Sequence, residues 1–275
     1  MSKIAVGTNL FGNCERQNLG IESLLKCKQV LGSNIDLFNI QFADGSDLKE
    51  QEGFNSLLSL KKTSKDVCDG NRKLPIIHEM FDVLSELGYD YFCFVNSDII
   101  VTPKFFKEIF DNPNKDAYIG SRLAIEGDNI KDLNFEIKLN DPTSLVKNSH
   151  YQVSGFDTFV ISSKWWKENR NKFPLYVYAV VYWDTHYATL LLKNADTYMQ
   201  NKTPTIFHII HEDASSQQCA EFTYNQGTFY NNYRGDFEMW HRYFFEVLVC
   251  RGESANFLYP LENEVELEKK YFKVV

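Results

Sequence analysis

The sequence predicts an α/β fold, a mainly parallel sheet flanked by helices with a helical extension at the carboxyl end, and three observations carry that prediction. Apolar runs of strand length alternate with amphipathic runs of helix length in the first half of the chain. The 275 residues are 44% apolar and 15% aromatic, enough to fill one large core. Finally, the apolar run "YFCFV" at residues 91–95 stops abruptly on Asn96-Ser97-Asp98. Polar groups left there without partners would cost several kcal/mol, so something must meet them.

The elements follow in order. Residues 3–7, "KIAVG", read as a short buried strand, and "GIESLLKCKQVL" at 20–31 places Ile21, Leu24 and Leu25 at helical spacing. "IDLFNIQFA" from Ile35 reads as a second strand, and a polar, poorly periodic stretch follows it. In "KLPIIHEMFDVLSELG" a proline suits the first helical turn. Ile76, Met80, Leu84 and Leu87 share one face, and Gly88 is a good stop. "YDYFCFVNSDII" is the next strand, and a further helix is expected near Pro103. Strand, helix, strand, helix, strand is the pattern of a parallel sheet covered by helices. In such sheets ligands bind beyond the carboxyl ends of the strands, where the polar triplet sits.

Composition narrows the function. With 29 basic and 37 acidic residues the formal charge is −8, which gives no electrostatic support to a nucleic acid or anionic membrane partner. Cys14, Cys27, Cys68, Cys93, Cys219 and Cys250 are scattered without a CxxC pair, as expected of free thiols in a reducing compartment. The start "MSKIAVGTNLFG" does not read as a signal peptide, and no window approaches the ~20 apolar residues of a membrane span. The expectation is a cytoplasmic protein without a transmembrane segment, with peripheral membrane contact left open. No Gly-x-Gly-x-x-Gly or Gly-Lys-Ser/Thr loop occurs, which argues against a dinucleotide oxidoreductase or a P-loop NTPase. His78-Glu79 lacks the second histidine of a zinc-protease helix.

"FVNSDIIV" resembles the metal-binding Asp-x-Asp element of GT-A-fold, nucleotide-sugar-dependent glycosyltransferases, which follows two Rossmann-like units. Three later stretches resemble that family in order: "GFDTFVIS" at 155–162, "YWDTHYATLLLKNA" at 182–195 and "TPTIFHIIH" at 203–211. "NRKLPIIHEMFDV" resembles the basic residue and helix ahead of the metal strand, so the likeness covers roughly residues 3–212. It implies a GT-A-like catalytic domain at 1–214, followed by an extension at 215–275.

The resemblance also implies roles. Asp98 would bind the metal, and Asn96, standing where the family has its first aspartate, would hydrogen-bond a ribose beside Ser97. A histidine from the late segment would join the metal. His208 and His211 are three apart on a β-like run, an offset that points them to opposite faces, so one of them is expected, with His211 preferred. Oxygen ligands with an imidazole favour Mn2+ over Mg2+. Asp184 would be the acceptor-side base if the transfer inverts configuration, a group binding the acceptor or donor sugar if it retains it, or else only the cap of its helix. Asp157, between Phe156 and Phe159, is the competing acid and would meet donor-sugar hydroxyls. Thr8 and Asn9 after the first strand would touch the base or ribose, and Arg72 would approach the diphosphate. The partners are then a nucleoside-diphosphate sugar and a glycan or other hydroxyl acceptor. A sugar-nucleotide pyrophosphorylase is the rival enzyme, disfavoured by the missing Gly-rich amino-terminal loop, and a glycan-binding or scaffold protein is the rival outside enzymes.

The carboxyl end says less. "FEMWHRYFFEVL" puts Phe237, Trp240, His241, Phe244, Phe245 and Leu248 on one stripe, suited to packing on the domain. "FTYNQGTFYNNYRG" has the composition of an acceptor groove or an irregular surface loop.

Overall fold

The computed structural model describes residues 2–11, 15–46, 48–120, 122–125, 149–152, 156–200, 205–209 and 219–232. Its strands are β1 (Ile4–Thr8), β2 (Ile35–Phe42), β3 (Asn55–Leu60), β4 (Tyr91–Val95), β5 (Ile99–Val101), β6 (Ala117–Gly120), β7 (Arg122–Ile125), β8 (Ser149–Gln152), β9 (Thr158–Ser162), β10 (Thr197–Gln200) and β11 (Ile206–Ile209). The helices are α1 (Glu15–Leu31), α2 (Ile77–Ser85), α3 (Pro103–Asp111), α4 (Ser163–Asn169), α5 (Trp183–Asn194) and α6 (Ala220–Asn232). A seven-stranded sheet runs β10-β6-β9-β4-β1-β2-β3, and a four-stranded sheet runs β5-β11-β7-β8.

The large sheet is parallel except for β9, which pairs antiparallel with both β4 and β6. Its central strands are apolar on both faces because both faces are covered. Along β1, Ala5 packs on one side and Ile4 and Val6 on the other; along β4, Phe92 and Phe94 oppose Cys93 and Val95. One face carries α2, α4 and α5, with Phe81 at its centre, its ring 5.2–6.2 Å from those of Phe92, Phe94, Phe159, Trp166 and Tyr187. Mostly edge-on or tilted geometries let such rings interlock. The other face carries α1 and α3 through Leu24, Cys27, Leu31, Phe105, Phe106 and Ile109. The units β1-α1-β2 and β3-α2-β4 precede Asp98, so the chain has the mainly parallel α/β sheet flanked by helices that the sequence predicts.

Three features differ from the sequence reading. The polar stretch after β2 contains β3, a half-exposed edge strand parallel to β2. "FTYNQGTFYNN" is helical, within α6, rather than an irregular loop. Helix α2 begins at Ile77, and Pro75 lies outside it, bridged to Thr63. Gly88, at φ 83°, follows α2 as expected of a stop. Cys27, Cys68, Cys93 and Cys219 are free thiols, and among the described residues no helix is long and apolar enough to cross a membrane. Cys14, Cys250, His211 and the "FEMWHRYFFEVL" stripe lie outside the described residues.

Candidate active site

Asn96, Ser97 and Asp98 link β4 to β5 at the edge where β1, β2 and β4 end. Because β9 is antiparallel, it starts at that edge: Thr158 pairs with Val95, and the Asn96 N–H donates to Asp157 O at 3.0 Å. The other side of the turn meets α1. A Cβ on Gly20 would stand 2.4 Å from Ser97 O, so only glycine lets the helix approach this closely. From the same helix the buried Gln17 donates to Ser97 Oγ at 3.4 Å and accepts from Lys49 Nζ at 2.8 Å. The polar end of an apolar strand thus has built partners. Three buried oxygens at this edge, Thr8 Oγ1, Asn96 Oδ1 and Thr158 Oγ1, have no hydrogen-bond partner among the described residues, as groups awaiting a polar ligand would not.

Two acids meet beside the triplet. Asp157 is 4% exposed, and both its oxygens are taken: Asn96 Nδ2 donates to Oδ1 and Arg122 Nη1 to Oδ2. That explains an amide at position 96, since a carboxylate there would face Asp157 at hydrogen-bond range. Asp184 lies in the first turn of α5, where the Phe156 N–H donates to its Oδ2 at 3.4 Å. It is not the helix cap that the sequence allowed; Tyr182 holds that position, at φ 83°. Burial and then the Asp157 charge push the Asp184 carboxyl up to about 7, against the pull of Arg122 and of the Thr185 and Phe156 N–H groups. For Arg122, burial lowers the pKa, but Asp157, Asp184 and Asp98 raise it on balance. The two acids therefore have different capacities. Asp157 is fully engaged, and Asp184 changes charge near neutrality.

Asp98 faces the small sheet. Strand β11 runs antiparallel to β5 with His208 opposite Ile99, which brings His208 Nε2 to 3.5 Å from Asp98 Oδ2. Their side chains are 12% and 31% exposed, open enough for a ligand to reach. Two neighbouring ligands bound at about 2.1 Å to one divalent cation stand roughly 3 Å apart, so this spacing suits a shared cation. No group of three or more His, Cys, Asp or Glu among the described residues could hold a metal by itself. Asp98 and His208 fit as part of a coordination shell that needs further oxygens from a ligand or water. Tyr178 closes the floor: its buried phenol bonds Ser97 and lies near Asp98 and Asp157, and burial pushes its pKa up.

The remaining candidates are placed as follows. Thr8 is 1% exposed at the end of β1, and Asn9 donates its amide to Ile40 O at 2.6 Å, which ties down the loop. Arg72 Nη2 lies 3.1 Å from Cys219 Sγ and 3.6 Å from Glu221 Oε2, engaged with α6 rather than with the acids. Arg122, Tyr178, Gln17 and Lys49 were not singled out from sequence. Only Arg122 offered a signal, a cation opening the short apolar run "RLAI".

No family model and no curated protein matches the chain. Among solved structures it is similar to residues 1–349 of TarS from S. aureus, at 15% identity over 95% of this chain and 77% of that one, with a TM-score of 0.48. It is also similar to the glycosyltransferase GlyE of Streptococcus pneumoniae TIGR4, at 12% identity over 94% of this chain and 67% of that one, TM-score 0.41. A third similar structure is the bifunctional IspDF of Campylobacter jejuni, at 10% identity over 74% of this chain, TM-score 0.40; the chain spans 50% of the length of IspDF. Likeness at this level decides nothing about reaction or substrate, and the site stands on its own geometry.

Proposed function

We propose that the chain is a divalent-cation-dependent glycosyltransferase that moves a hexosyl or pentosyl group from a nucleoside-diphosphate sugar to a hydroxyl of a glycan or other acceptor. The observation that carries this reading is the meeting of Asp98 and His208 with the acids Asp157 and Asp184 at the carboxyl edge of the sheet. Asp98 and His208 would hold Mn2+ or Mg2+, which when bound neutralises negative charge on the leaving diphosphate. His211, outside the described residues, is the alternative imidazole.

The chain's own groups divide the rest. Asp184 accepts the acceptor hydroxyl's proton as the new glycosidic C–O bond forms and the anomeric bond to the diphosphate breaks. This is inverting transfer. Asp157 orients the sugar side of the site, held in place by Asn96 and Arg122. Thr8, Asn96 and Ser97 supply polar contacts for the nucleotide at the strand ends.

The test is a thermal-shift panel of UDP, GDP, CDP, ADP and dTDP and their sugars, with Mn2+ and with EDTA. Ligand at about 100 times its Kd stabilises the native state by about 2.7 kcal/mol, so one nucleotide should raise the melting temperature with Mn2+ only. Asp98→Ala should fold and lose that shift. Equal shifts in EDTA, or an unchanged shift in Asp98→Ala, would remove the cation from the account.

A further inference from the structure

The turn leading into α5 is strained. Ala179 sits at φ 61° and Tyr182 at φ 83°, the left-handed region that side chains disfavour. Such conformations persist only where the surroundings over-determine them, and they gather at functional sites. Here the surroundings come from α6. Asn225, 0% exposed, accepts from Val177 N at 3.0 Å and donates its amide to Val177 O at 3.0 Å, Val181 O at 3.1 Å and Val180 O at 3.3 Å. These bonds all go to one turn. Gln226 Nε2 reaches Tyr182 Oη at 3.3 Å, and the rings of Phe229, Phe222 and Tyr230 lie 5.1, 5.8 and 6.1 Å from that of Tyr182. On the other side, Tyr178 N donates to Pro75 O at 2.9 Å.

What the turn delivers is Asp184. Tyr182 caps α5, its carbonyl accepts from His186 N at 3.1 Å, and Asp184 stands two residues further on. Trp183 between them is buried, its ring 5.6 Å from Phe159 and 5.9 Å from Phe94. A shift in the turn therefore moves the first turn of α5 relative to Asp157 and Arg122. We propose that Asn225 is a positioning residue that locks the 177–182 turn in its strained form and so aims the Asp184 carboxylate, which makes α6 a working part of the site. The inference rests on the reading of Asp184 as the base and adds to that reading the element that sets its aim.

The test uses the full chain and needs no substrate. Infrared difference spectra across pH locate the Asp184 carboxyl band by its loss in Asp184→Asn, and hydrogen exchange follows the His186 amide. Asn225→Ala should speed that exchange and move the Asp184 titration down by about one pH unit or more, as the carboxyl turns toward water. Adding Ala179→Gly should bring both back toward wild type, because glycine takes a positive φ without steric cost. A lock that only stabilises the fold would not show this rescue of the Asp184 signal. If Asn225→Ala does not fold, Asn225→Asp, which keeps the acceptor for Val177 N–H and removes the donor, is measured the same way. Exchange and titration at wild-type values in these variants would overturn the proposal. The base reading fails separately, if Asp184→Asn keeps full turnover, and the exchange result still decides whether Asn225 holds the turn.

Discussion

Between α2 and α4, Asp82 accepts from Trp166 Nε1 at 2.8 Å and Arg170 Nη1 at 3.3 Å and faces His78 Nδ1 at 3.3 Å. At the carboxyl edge of the sheet, Asp157 and Asp184 both lean on Arg122, with Asp98 close enough to add to its field. The first region gives one carboxylate three donors, and although burial opposes it, they hold Asp82 below its ordinary range. The second crowds carboxylates around one guanidinium, and Asp184 is pushed the other way. An acid with its partners built in glues two helices together. Acids gathered on one guanidinium raise one another, and burial with the Asp157 charge leaves Asp184 titrating near neutrality.

The most damaging way to break this contrast is Arg122→Gln. It leaves the buried Asp157 without its cation and should cost about 3 kcal/mol in urea denaturation at pH 8. A loss under about 1 kcal/mol would class the pair with screened surface bridges instead. Asn96→Asp comes next. A carboxylate facing Asp157 should cost about 2 kcal/mol at pH 8. Equal melting temperatures for Asn96→Asp and wild type at that pH would mean that the amide does not hold Asp157. Asp82→Asn should cost only about 1 kcal/mol and leave nucleotide binding unchanged in the thermal-shift panel; weakened binding would merge the two regions into one site.

The smallest effect is a difference in slope. Asp184 has a raised folded-state pKa, so its contribution to stability is fully present below the ordinary carboxylate range near 4 and is lost as pH rises toward about 7. Asp82 is lowered, so its contribution is present above its ordinary pKa and is lost as pH falls below it. Stability measured from about pH 2 to pH 8 should therefore lose a falling component between about pH 4 and pH 7 in Asp184→Asn, while Asp82→Asn should lose a rising component below about pH 4. Parallel curves for the two variants would remove the electrostatic distinction.

Much of the fold could be read from sequence where burial is two-sided or helical spacing is regular. β1, β2, β4, α1 and α2 announce themselves in this way, whereas α3 is expected only near Pro103 and α5 only through the family resemblance. β3 does not, because "NSLLSL" is a half-exposed edge strand whose pattern is set by β2 beside it. The direction of β9 has no local signature, yet it decides that Asp157 starts a strand next to Asn96. Arg122 stands out as a cation opening the apolar run "RLAI", but its pairing with an acid 35 residues away has no local signature. Asn225 sits in "NQG", which has turn-like composition, and its role appears only when α6 meets the strained turn. The odd spacing of His208 and His211 suggested a single ligand; register opposite Ile99 is what carries His208 to Asp98, a tertiary fact no spacing rule contains.

In the proposed reaction Asp184 accepts the proton of the acceptor hydroxyl. The direct measurement is turnover against pH, for wild type and Asp184→Asn, at saturating concentration of the donor identified by thermal shift and with Mn2+ present. Wild-type turnover should rise through about pH 7 and then level off, following ionisation of Asp184. Asp184→Asn should melt near wild type at pH 8, bind the donor, and turn over about 100-fold more slowly or worse, without that rise. Wild-type turnover in Asp184→Asn, with the same rise through neutrality, would contradict the claim.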